Sequence, residues 1–375
     1  MVRSRGRGGQ GVRASAFDGA RRVRDEGAAF LSVSLSPVSL AAAAANVVGK
    51  VRGGLADLRS MPRTLIDQGP NRSVYRFHGE SSGPPVLLVP PLAAPALCFD
   101  LRRGCSLVEH LVEQGRRTYL VDYGAVAFSD RRLGMEHWID EVLPRTIRKV
   151  SEDAGGQEVQ VIAWCLGGLF SLLTAADKPE LPISSIVTVA SPVDFTAIPL
   201  MAPFRPLIEI TGGYLLTPFY RLLGGAPSYV VGRVFWAAGI EKEITKPLAI
   251  LRNLDDRDYL AQLEAVDRFM GQMMAYPGRT FGQLYHRLFR ANDLADGALD
   301  LGGRVVSLSG VRVPVLIVAG EADTIAPRRA VERLTGLLPS SPKVDFHLAP
   351  GGHLGVLTGR HARTTTWPLI DTFLG

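Results

Sequence analysis

Residues 161–170 read V-I-A-W-C-L-G-G-L-F: an apolar run ending on a cysteine, then a glycine pair and more apolar chain. Residues 159–164 have the length and apolar content of a buried strand, and 169–176 those of a helix. Cys165 thus stands in a strand–turn–helix, the context that holds a nucleophile on a sharp, strained elbow. Strand and helix approach closely there, so only small residues fit around it. Gly167 and Gly168 meet that need, and Ala163 stands where the usual pattern has its first glycine. Alone, A-x-C-x-G-G also fits a buried structural cysteine before a helix.

Outward from the elbow, short apolar runs recur at 86–89, 118–121, 186–190, 313–319 and 344–348, each suited to a buried parallel strand. Helical stretches lie between several of them. Ser106-Leu107-Val108-Glu109 reads as a capping box opening one helix, which Gly115 closes. From about residue 73 this alternation predicts an α/β protein: a mostly parallel central sheet with helices on both faces. Between 190 and 313 the alternation lapses. Residues 195–300 are rich in helix formers and aromatics, among them Phe204, Tyr214, Phe219, Tyr220, Phe269 and Tyr276. An insertion of this size reads as a largely helical cap over the site. The core is then 73–194 plus 301–375.

A thiol nucleophile needs a base, and the base an orienting acid. G-E-A-D-T-I-A-P puts Asp323 in the loop after the run at 313–319, and A-P-G-G-H-L-G puts His353 in the loop after 344–348. Catalytic groups of open α/β sheets gather at such carboxyl ends. The order Cys165, Asp323, His353 is the nucleophile–acid–base order of the α/β-hydrolase fold. Asp194, in S-P-V-D-F, is the rival acid, with Asp323 preferred. His347 inside its strand and His361 near the final helix read as structural, and Asp122 as a residue that fixes a loop. An oxyanion hole needs two N–H donors. Leu166 follows the nucleophile, and in P-P-L-A-A-P neither Pro90 nor Pro91 has an N–H, so Leu92 is the first able to donate.

Composition bounds the rest. Cys98, Cys105 and Cys165 are the only cysteines, with no metal or disulfide pattern, which fits a reducing compartment. Of the net charge of +6, +4 lies in residues 1–26, where seven arginines face three acids. Residues 1–35 read as a basic, disordered tail, and the absence of a later basic stripe argues against nucleic acid. The uncharged stretch 27–49 is a poor signal peptide, because Asp25 and Glu26 precede it, and its serines dilute it as a membrane span. A helical segment over 36–72 explains more. Ser36-Pro37 is a helix start, and Leu40, Ala44, Val47, Val51, Leu55 and Leu58 recur on one face, as in a docked or surface-seeking amphipathic helix.

L-L-V-P-P-L-A-A-P, Y-L-V-D-Y-G, A-W-C-L-G-G, L-G-G-R-V-V-S-L-S-G-V-R-V-P-V-L-I-V-A-G-E-A-D and G-G-H-L-G resemble the polyhydroxyalkanoate synthases segment by segment, over 84–370 with a gap in the cap. The resemblance implies an acyltransferase in which Cys165, Asp323 and His353 take 3-hydroxyacyl groups from coenzyme A thioesters and polymerise them. It implies no cofactor and no metal, a cytoplasmic protein at polymer granules or the inner membrane surface, and work with a second synthase subunit or a second copy. Four positions depart from the family: Ala163, Tyr123 in place of tryptophan, Thr324 in place of histidine, and N-L-D-D-R-D in place of a Trp-Asn-x-Asp stretch.

Sulfur suits a transferase. Moving an acyl group from coenzyme A to Cys165 exchanges one thioester for another, so the cargo stays activated for an alcohol. Two other readings remain: a lipase, esterase or thioesterase on the same fold, and a non-catalytic granule- or membrane-surface scaffold.

Overall fold

The computed structural model of the chain describes residues 37–199, 218, 224–238 and 240–375. The basic opening, Ser36, and Phe204, Tyr214, Phe219 and Tyr220 of the insertion lie outside the described residues. In chain order the strands are β1 (Arg63–Gly69), β2 (Arg72–Phe77), β3 (Pro85–Val89), β4 (Arg117–Asp122), β5 (Val159–Trp164) and β6 (Ile183–Val189). After them come β7 (Gly225–Ala226), β8 (Tyr276–Pro277), β9 (Ala298–Leu301), β10 (Arg304–Ser307), β11 (Val315–Gly320) and β12 (Val344–Ala349).

Eight of these form the central sheet, in the order β1-β2-β4-β3-β5-β6-β11-β12. From β4 to β12 neighbours run parallel, while β1–β2 and β2–β4 are antiparallel. β3 and β5 are buried at every residue, which is why they read as apolar runs rather than alternating ones, broken only by Gln160, whose amide donates to Leu374 O. The chain leaves β3 for β4 on one side and continues to β5 on the other, so the sheet has its topological switch point beside the end of β5.

Residues 36–72 are not helical throughout. The helix covers Pro37–Arg52, Gly54 follows it at φ +98°, and after an irregular stretch β1 occupies Arg63–Gly69. β1 is an edge strand with no fully buried residue, so it carries no alternating apolar signal. The helix face differs too. Leu40 (52% exposed), Val47 (50%) and Val51 (83%) point to solvent, whereas Asn46 is buried and its Nδ2 donates to Leu254 O at 2.8 Å. Leu55 leaves the helix and packs with Leu260 and Ala261. Among the described residues no helix is long and apolar enough to cross a membrane.

The helix Leu107–Glu113 begins at Ser106, whose Oγ accepts from Glu109 N at 3.0 Å. The box is not reciprocal: Glu109 Oε2 accepts from Gly104 N at 2.7 Å instead.

The insertion carries helices Ser228–Ala238, Ile240–Arg252, Arg257–Met270 and Gly278–Gln283, the last running into a π-helical turn Leu284–Arg290. Its base is clamped to the core by charge. Asp258 pairs with buried Arg102 at 2.6 Å and with Arg363 at 2.8 Å, and Asp256 pairs with Arg360 at 2.7 Å. Two of the three acids of N-L-D-D-R-D, Asp256 and Asp258, thus anchor the insertion.

Candidate active site

Cys165 lies between β5 and the helix Leu166–Asp177, at φ +52° and ψ −121°. A non-glycine residue reaches this region only when its surroundings hold it there. Here Cys165 N donates to Val189 O at 2.9 Å, hooking the turn onto β6. The glycines follow from the same closeness. A Cβ on Gly167 would lie 2.6 Å from Val89 O and Pro90 O, and one on Gly168 would run into the Ser191 hydroxyl. Gly167→Ala is therefore expected to cost about 1–3 kcal/mol of stability, read as a lower urea midpoint with an unchanged m-value.

Two further loops meet this elbow. Those after β11 and β12 lie against each other, with Glu321 N donating to Ala349 O at 2.9 Å and Ala322 N to Gly351 O at 3.0 Å. The first carries Asp323, whose Oδ1 accepts from Ile325 N and Ala326 N, each at 2.8 Å. The second carries His353, whose Nδ1 lies 2.8 Å from Asp323 Oδ2. The carboxylate side chain is fully buried and the imidazole nearly so.

Burial by itself would raise the Asp323 carboxyl, but the His353 ring and the two loop amides hold it below the ordinary carboxylate range. Burial likewise disfavours a charged His353. The Asp323 carboxylate and the nearby Cys165 sulfur, by charge and by hydrogen bonding, outweigh it and push the ring up to about 10. A histidine raised on folding lends stability that is full below its unfolded pKa of about 6.5 and is lost as pH climbs through the folded value. Urea stability is expected to fall from pH 6.5 to about 10, and His353→Gln to flatten that slope relative to wild type.

The rival residues are occupied elsewhere. Asp194 Oδ1 accepts from Thr196 N at 3.0 Å, Thr196 Oγ1 at 2.6 Å and Asn292 Nδ2 at 3.0 Å, capping a short turn. Asp122 Oδ1 accepts from Gly124 N at 3.0 Å in the loop after β4. His347 is exposed on β12, and exposed His361 precedes a short turn rather than standing on the final helix, Thr366–Leu374.

Leu166 is the first residue of its helix, so its N–H has no partner within it. Leu92 N makes no hydrogen bond to a described residue, and the next residue, Ala93, is held at φ +64°. Ala93 O accepts from Met274 N at 2.8 Å, which ties this loop to the insertion.

Two neighbours of the site carried no distinctive sequence signal. Trp164 Nε1 donates to His353 O at 3.1 Å, and its ring lies 5.0 Å from the imidazole. Tyr276, from β8, is buried, and that burial, with the charge of the Cys165 thiolate, pushes its phenol up. In sequence Trp164 reads as part of a buried strand and Tyr276 as one of many aromatics of the insertion. Of the three thiols, Cys98 and Cys105 are fully buried and burial raises both, whereas Cys165 keeps partial access.

Over residues 84–219 the chain matches the family described as the alpha/beta hydrolase fold. It is 26% identical over 320 residues to the poly(3-hydroxyalkanoate) polymerase subunit PhaC of Allochromatium vinosum, covering 84% of this chain and 88% of that one. Against PhaC of Synechocystis it is 24% identical over 326 residues, covering 84% of each. Against PhaC of Haloferax mediterranei it is 23% identical over 352 residues, covering 88% and 68%.

Proposed function

We propose that this chain, which has the α/β-hydrolase fold and is similar to poly(3-hydroxyalkanoate) polymerase subunits over most of its length, is an acyltransferase of that type. It takes 3-hydroxyacyl groups from coenzyme A thioesters onto Cys165 and passes them to the hydroxyl end of a growing polyester. The observation that carries this reading is a thiol on a strained elbow, beside an imidazole hydrogen-bonded to a buried carboxylate.

The chemistry runs in two halves. His353 takes the Cys165 proton, and the sulfur attacks the thioester carbonyl. The tetrahedral oxyanion is met by the Leu166 and Leu92 N–H groups. Collapse breaks the bond to coenzyme A, which leaves as a thiol with the proton from His353. In the second half His353 deprotonates an incoming hydroxyl, whose oxygen attacks the Cys165 thioester. The ester forms and Cys165 regains its proton. Asp323 holds Nδ1 so that the other ring nitrogen faces the sulfur, and its charge favours the imidazolium left once the thiol has given up its proton.

Intact-mass spectrometry after exposure to 3-hydroxyacyl-coenzyme A tests this directly. Expected are coenzyme A release, an acyl adduct on the protein and lengthening polyester. Release of free acid with no ester product would replace the polymerase reading with a thioesterase one.

The product is insoluble, and the Pro37–Arg52 helix turns Leu40, Val47, Val48 and Val51 outward beside Lys50 and Arg52. That face is assigned to the granule surface. Val47→Glu with Val51→Glu is expected to reduce co-sedimentation with polyester particles severalfold, and unchanged sedimentation would remove the assignment.

A further inference from the structure

Away from the elbow, a cavity of about 580 Å³ opens between the loop after β4 and the insertion, lined among others by Arg131, Arg132, Arg279, His286 and Arg287. Its frame is tightly built. β7 pairs with β8 in antiparallel register, Thr280 Oγ1 donates to Leu133 O at 2.8 Å, and Met135 N donates to Gln283 Oε1 at 2.7 Å. A Cβ on Gly278 would meet Gly224 O at 2.9 Å and Arg131 O at 3.2 Å, so three backbone segments converge on its wall.

The charge inside is unevenly matched. Arg279 pairs with Glu136 at 2.9 Å, and Arg287 with Asp300 at 2.6 Å and Asp293 at 3.5 Å. The arginines of these pairs are half-exposed, and such pairs are weak enough to exchange for a stronger anion. Arg131 donates to Phe128 O at 3.1 Å and lies over the Phe128 ring, 4.5 Å from its centroid. Among the described residues neither Arg131 nor Arg132 forms an ion pair. Planar, permanently charged guanidinium groups gathered in one recess are suited to phosphate oxygens.

Position supplies the second argument. The loop after β4 leaves the carboxyl end of the sheet, as do the loops of Cys165, Asp323 and His353. Met274 N donates to Ala93 O, in the loop after β3 that packs against the elbow at Gly167, and four residues later Gly278 forms part of the cavity wall. One short stretch of backbone therefore joins the loop beside the elbow to the arginines. A coenzyme A thioester has the matching layout, with its acyl sulfur at one end of a long flexible arm and its nucleotide phosphates at the other.

We infer that this arginine-lined cavity holds the phosphate-bearing nucleotide end of the coenzyme A thioester. The inference rests on the acyl-transfer reading above, yet it can be measured without turnover. Titration calorimetry of the full chain with adenosine 3′,5′-bisphosphate is expected to detect binding that Arg131→Ala/Arg132→Ala weakens by roughly tenfold or more. Inorganic pyrophosphate at equal concentration is expected to leave that binding in place. In acylation assays the same double variant is expected to lose about tenfold of the wild-type preference for a coenzyme A thioester over the corresponding pantetheine thioester. Absence of bisphosphate binding by the wild type, equal binding by the double variant, or full displacement by pyrophosphate would overturn the assignment. Failure of either thioester to acylate the wild type counts against the acyl-transfer reading instead, and the calorimetry still decides the cavity.

Discussion

Cys165→Ala is expected to abolish the acyl adduct and to lower coenzyme A release on the order of 10⁶-fold, with the fold intact. Losses of that size attend removal of a nucleophile whose partners act with it as one unit. No other described thiol can substitute, because Cys98 and Cys105 are fully buried. Alanine keeps the packing of the turn, since the residue's N–H bond to Val189 O is unaffected by its side chain. Cys165→Ser separates nucleophilicity from geometry. A serine ester would surrender the activation that a thioester retains, so transfer to an alcohol is expected to fall further than acylation. Stopped-flow coenzyme A release and intact mass read both halves, and wild-type release by the alanine variant would exclude this thiol as nucleophile.

Asp323→Asn is expected to slow acylation by roughly 10⁴-fold while leaving thioester binding largely intact. The reason lies in how the carboxylate is oriented. Its Oδ1 is held by two amide donors, Ile325 N and Ala326 N, so the oxygen of an asparagine would remain on that side. The new NH₂ would face His353 Nδ1 and donate to it, driving the ring proton to the nitrogen that faces sulfur. The base would then have no free lone pair where one is needed. Asp194→Asn is the control. Its carboxylate serves Thr196 and Asn292, so acylation is expected to stay within a few-fold of wild type. Single-turnover kinetics distinguish the two, and a slow Asp194 variant beside a fast Asp323 variant would reverse the assignment of the acid.

The parts of this fold that sequence carries well are those in which burial is total. β3 and β5 are buried at every residue and apolar but for Gln160, whose amide donates to Leu374 O, and the loops after β5, β11 and β12 announce Cys165, Asp323 and His353 through local glycine, proline and acid patterns. β1 has no such signature, because an edge strand with no fully buried residue obeys no apolar rhythm. The Pro37–Arg52 helix is legible only in part. Periodicity locates an apolar face, but contact falls on the other side, through Asn46. Trp164, Tyr276 and the arginine cavity depend on segments far apart in the chain meeting in space, which spacing along one segment cannot encode. In N-L-D-D-R-D, Asp256 and Asp258 are anchors to Arg102, Arg360 and Arg363, a role no local pattern encodes.

The unequal burial of the three cysteines gives an experimental handle. In the native protein a maleimide dye or Ellman's reagent has one accessible target, and denaturation unmasks the other two. The ratio of the two readings therefore counts competent centres in any preparation, and a fall in the first reading after exposure to a thioester would report how many sulfurs carry cargo.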